Sequence, residues 1–190
     1  MLLTINQLLQ EYKPALLFLA RFLGIYVLGN VVYGLWIVSF ANQPDPYTAM
    51  VTSHAAAFLQ LLGYQAATFV SGIAPNVALQ MNGQTVVRVF EGCNAINVSV
   101  LFVAFLFAYK GNIKQTLLFA LAGLIAVYLF NLLRIAGLFL VARFYPEQLY
   151  LMHKFVFTGI IYAFVFVLWY LWVTKFANPA PHPASRQTDN

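Results

Sequence analysis

IKQTLLFALAGLIAVYLFNLLRIAGLFLVA, residues 113–142, decides the fold. About 20 apolar residues cross a bilayer, and this run is long enough to do so at a tilt. Three further runs read as spans by the same measure: about 14–40, 94–109 and 154–176. The second is short and is expected to start below the membrane surface. Hydrophobic residues make up 62% of the chain and charged residues 8%, where soluble domains carry roughly 25%. The expected architecture is therefore an all-α integral membrane protein: a four-transmembrane-helix bundle within one domain, residues 1–176. The Pro-rich tail, 177–190, is expected to be a disordered cytoplasmic segment. Residues 1–13 are polar and amphipathic and lack the form of a signal peptide, so the first run is expected to stay as a helix.

Between the first two runs lies a mixed stretch, about 47–91. Asn42-Gln-Pro-Asp-Pro46 breaks the chain. Tyr47 to Tyr64 then reads as a helix interrupted by Thr48, Thr52, Ser53, His54 and Gln60, which suggests an interfacial helix or one packed on the bundle. Asn82-Gly83, flanked by β-prone residues, is a strong type I′ hairpin signal. A small extracytoplasmic hairpin should thus lead directly into Glu91-Gly92-Cys93-Asn94-Ala95. The ten Lys and Arg are scattered and mostly flank apolar runs, so the net charge of +5 is read as topology and not as nucleic-acid binding. Lys13, Lys110, Lys114, Lys175 and Arg186 fit a cytoplasmic side, with both termini there. The hairpin, Cys93, the end of the third run and the start of the fourth then face outward.

That topology gives Cys93, Arg134 and His153 one depth. A cysteine attacks as its thiolate, and a helix start favours the anion. His153 could move the proton. Arg134 stays charged, so it would hold the thiolate or stabilise an oxyanion. Asn131, one turn before Arg134, could orient it or a substrate amide. Glu91 could pair with Arg88 or with Arg134. Each residue also has a plainer reading: Cys93 as small core packing, His153 as an interface anchor, Arg134 as a side chain snorkelling to headgroups. Arg134 resists this most, because an ionisable residue inside a span is costly. His54 and His182 come with no HExxH or carboxylate cluster, so no metal site and no cofactor is expected. With one cysteine there is no CxxC pair or intrachain disulfide. GxSxG and paired intramembrane aspartates are absent, which removes serine and aspartyl intramembrane proteases.

Glu91-Gly-Cys93-Asn94-Ala, Asn131-Leu-Leu-Arg134-Ile and His153 followed by Gly159 together resemble the exosortase/archaeosortase family of membrane transpeptidases. The resemblance covers about half the chain. It implies cleavage of a C-terminal sorting signal (short motif, transmembrane helix, basic tail) on exported, membrane-anchored proteins, at the outer face of a bacterial cytoplasmic membrane. It implies Cys93, Arg134 and His153 as the catalytic residues, and a thioester passed to an amine, glycan, lipid or water. With its few spans the chain looks like a compact single-module variant. Many members carry Ser or Thr and then Gly after the cysteine; Asn94-Ala95 stands here, which bears on the backbone and the recognised signal. The competing readings are a non-catalytic assembly or export component, in which Arg134 binds a lipid phosphate, and a small transporter with Arg134 lining a path.

Overall fold

The computed structural model describes residues 5–177, apart from residues 42, 71, 73 and 110. The expected disordered tail, with His182 and Arg186, lies outside them, as does Lys110. Five helices and a sheet follow in the order α1 (Ile5–Val38), α2 (Pro46–Leu61), β1 (Ala66–Val70), β2 (Asn76–Met81), β3 (Gln84–Phe90), α3 (Ile96–Ala108), α4 (Ile113–Phe144) and α5 (Pro146–Phe176). A single 3₁₀ turn, Glu91–Cys93, joins β3 to α3.

Among the described residues three helices are long and apolar enough to cross a membrane, Gln10–Val38 of α1, α4 and α5, so the expected count of four is not confirmed. The chain is thus a multi-pass membrane protein. The segment read as 94–109 is α3, whose 13 residues rise about 20 Å at 1.5 Å each, short of a ~30 Å hydrocarbon core. The chain spends Cys93 to Ala95 on a turn before α3 begins, which shortens the helix. Its place is central nonetheless, because it packs against α1, α4 and α5. The fourth expected span begins eight residues earlier than 154, so His153 lies inside α5 and not at its start.

Small residues set these approaches. A Cβ on Gly29 of α1 would meet Val100 of α3, and one on Gly123 of α4 would meet the ring of Phe102. Phe102 is fully buried and joins Val127, Ile161, Val165 and Trp172 in the core between α3, α4 and α5. Phe18 and Phe22 of α1 set their rings edge-on to Phe105, which stacks on Trp169 with centroids 4.4 Å apart.

The expected hairpin is present and belongs to a three-stranded sheet. The hairpin forms where Asn82-Gly83 demands it, with φ of 52° and 75°, both positive as a type I′ turn requires. A third strand, β1, adds antiparallel to β2, giving the order β1-β2-β3. Leu79 of β2 packs with Leu59 of α2 and Phe139 of α4, so the sheet is seated on these two helices. Helix α2 is held at its start by Asp45, whose side chain accepts from the Thr48 N–H, with Pro46 in the first turn. Of the two readings its polar residues allowed, packing on the bundle is the one found: Thr48 and Thr52 are fully buried.

Candidate active site

β3 ends at Phe90, and the chain turns back over the bundle. Gly92 permits the turn, since a Cβ there would meet the Phe90 ring. Cys93 closes it, 5% exposed. Asn94 follows and Ala95 takes a left-handed conformation, φ 66°, before α3 starts. The Asn94 side chain is a hub. Its Oδ1 accepts from the Ile96 N–H at 2.9 Å, while its Nδ2 donates to the Tyr33 hydroxyl at 2.8 Å and to Thr48 Oγ1 at 2.9 Å. The Tyr33 hydroxyl in turn donates to the Glu91 carbonyl at 3.4 Å. α1, α2 and the turn are thus tied at one buried point.

Asn131 of α4 is fully buried, and its Nδ2 donates to the Cys93 carbonyl at 3.0 Å. Arg134, one turn on, donates from Nη1 to Asn131 Oδ1 at 3.4 Å. It is 8% exposed, and its Nε has no hydrogen-bond partner among the described residues. A buried donor left unpaired is costly, so the site holds one N–H ready for an acceptor. Ile135, the next residue, packs against Cys93.

His153 comes from α5, where Met152–Val156 forms a single π turn. One extra residue per turn shifts the helix phase by about 100°, which sets the direction of the residues before it. Thr158 Oγ1 donates to the His153 carbonyl at 2.8 Å and satisfies an acceptor in the widened turn. The imidazole Nε2 stands 3.6 Å from the Cys93 sulfur. Sixty residues of sequence are thus bridged by one side-chain contact.

Burial pushes the Cys93 thiol above its ordinary range. The Arg134 guanidinium is the main opposing influence, followed by a backbone hydrogen bond at Phe90, while Glu91 adds slightly to the rise. The helix start is of less help than the sequence suggests, because the first N–H of α3 is already taken by Asn94. Burial thus works against the thiolate that attack requires.

The structure brings Cys93, His153, Asn131 and Arg134 together, with Asn94 and Glu91 in the turn that carries the cysteine. Arg88 donates to Asn76 Oδ1 at 3.3 Å instead of pairing with Glu91. His54 hydrogen-bonds the Tyr128 hydroxyl. Tyr33 and Thr48 are the supporting residues that sequence reasoning missed. A tyrosine in an apolar run resembles an interface anchor. The Thr48/Thr52 spacing of four, which puts both on one helix face, was the available signal. Among the described residues no three His, Cys, Asp or Glu side chains gather as metal ligands would. A cavity of about 790 Å³ opens beside the site, bordered by β3, Cys93, His153, Ile135 and Leu149.

Neither the curated proteins nor the solved structures contain a match to the chain. A family model described as transmembrane exosortase matches residues 9–173, from the second turn of α1 almost to the end of α5, taking in all three of Cys93, Arg134 and His153. The chain therefore belongs to the transmembrane exosortase family.

Proposed function

We propose that the protein is a membrane cysteine transpeptidase that processes C-terminal sorting signals of exported proteins through a thioester on Cys93. The observation that carries this reading is the 3.6 Å contact between Cys93 Sγ and His153 Nε2, formed between residues that the fold alone brings together. Family membership supports sorting-signal processing as the role.

The chemistry follows from the groups present. His153 takes the thiol proton as sulfur attacks the scissile carbonyl, which overcomes the raised thiol pKa at the moment of need. The carbonyl oxygen becomes an oxyanion, and the unpaired Arg134 Nε–H is a donor for it. The C–N bond breaks, the leaving amine takes the proton back from His153, and an acyl thioester remains on Cys93. An acceptor amine, hydroxyl or water then attacks the thioester, gives its proton to His153 and frees the thiol. Asn131 positions the reacting groups: it holds the Cys93 carbonyl and Arg134 at once. Asn94 and Glu91 fix the turn.

The domain is residues 1–176, with α3 as the short fourth member of the bundle. The site end faces outward from a bacterial cytoplasmic membrane, since Lys13 and Lys114 lie at the other end. The substrate is a membrane-anchored protein whose C-terminal helix lies in the bilayer beside the bundle.

Hydroxylamine tests the thioester. Membranes treated with it should yield processed envelope proteins that end in a C-terminal hydroxamate. New C-termini that stay free of hydroxamate at every concentration tried would rule out an acyl-enzyme.

A further inference from the structure

The cavity beside Cys93 is bordered by six consecutive residues of β3, Thr85 through Phe90. Side chains on a strand alternate between faces. A bulge at Val86 interrupts the alternation, but it holds from Val87 to Phe90, and a hollow that touches each of these residues in turn follows the strand's edge, where backbone N–H and C=O groups point. Among the described residues β3 is an edge strand, with β2 as its one partner. Six residues of edge extend about 20 Å, and the hollow along them ends at Cys93 and His153. Leu138 of α4 and Leu149 of α5 form the facing wall and are apolar.

We propose that the substrate binds by adding an extended segment to this free edge of β3, so that main-chain hydrogen bonds lay the scissile peptide across Cys93. The inference rests on the transpeptidase reading and names how its substrate is held. Strand addition suits the role, because backbone pairing accepts many sequences while side-chain pockets along the edge choose among them. The direction follows from depth. Met81, at the hairpin tip, packs with the cluster around Phe139, whereas Cys93 packs with Ile135, one turn nearer the bundle centre. β3 thus descends toward the bundle as it nears Cys93. A substrate whose C-terminal helix lies in the bilayer would enter at the hairpin tip and run parallel to β3 before the cut.

The test replaces residues Thr85 to Val89, one at a time, by the matching α-hydroxy acids. Each change exchanges one backbone N–H for an ester oxygen and keeps the side chain. Processing is read from the C-termini of the cell's own envelope proteins, and iodoacetamide labelling of Cys93 reports that the site is folded. Processing should fall about tenfold at the positions whose N–H faces the cavity, which alternate except across the bulge at Val86, with labelling unchanged. Leu149→Trp, which narrows the hollow from the opposite wall and leaves the sheet alone, should lower processing as well. Full processing in Leu149→Trp and in every ester variant, while Cys93→Ala abolishes it, would overturn strand addition and leave the transpeptidase standing. Full processing in Cys93→Ala would remove the transpeptidase reading itself.

Discussion

At Cys93 burial and a guanidinium pull in opposite directions, and burial wins. The thiolate is therefore scarce at neutral pH. Iodoacetamide should react slowly with Cys93 at pH 7, and the rate should keep climbing with pH beyond the ordinary thiol range. Arg134→Gln removes the main influence that lowers the thiol pKa, so the rise should move to still higher pH. A rate profile equal to wild type in that variant would show that the charge does not act on the sulfur. Two residues away, Ala95 holds a positive φ that costs a non-glycine residue about 1–2 kcal/mol. Ala95→Gly should be tolerated, with protein yield and site labelling retained. Ala95→Val, β-branched in the same conformation, should lower the detergent unfolding midpoint sharply, and an unchanged midpoint would refute the strain. The sequence could mark Cys93, Arg134 and His153 because a polar group in an apolar run stands out. It marked Ala95 as a place where the backbone matters but could not give its left-handed angle, and it could not mark Tyr33, which acts through a hydroxyl at the end of an ordinary aromatic.

Among the elements, the π turn of α5 is the one on which His153 depends. Deleting Lys154 should convert Met152–Val156 to a regular α turn and swing His153 by about 100°. Processing should be lost while helical circular dichroism and membrane insertion persist. Retained processing would mean that the turn has no part in aiming the imidazole. No composition rule foretold this turn, since α and π turns use the same residues and differ by one hydrogen-bond step. The hairpin was legible because Asn82-Gly83 specifies its own backbone. β1 was not, since Ala66–Val70 lacks alternation and is a strand only because β2 offers an edge. The polar residues of α2 left two readings open, an interfacial helix or one packed on the bundle, and the hydrogen bonds of Thr48 and Thr52 inside the bundle select the second.

For the whole molecule, the membrane class was readable from hydropathy, and the count of spans was not. α3 is as apolar as its neighbours, but its length is fixed by the turn that carries Cys93, a tertiary matter. That short helix sits against the long ones through close contacts, so the bundle has little room for added volume. Gly123→Ala would push a methyl into the Phe102 ring and should cost about 1–3 kcal/mol by overpacking, read as a lower unfolding midpoint in detergent. An unchanged midpoint would show that Phe102 has space to move. The bundle, the turn and the sheet serve one purpose in this account: to carry a thiol, an imidazole and a guanidinium to one end of three spanning helices, beside an open strand edge. The most direct test compares the C-termini of envelope proteins, by mass spectrometry, in cells carrying wild-type or Cys93→Ala protein. A set of proteins that keep their C-terminal helix only in the mutant is the predicted result. Identical C-termini in both, with the protein present in the membrane and its processed proteins detected, would contradict a catalytic Cys93.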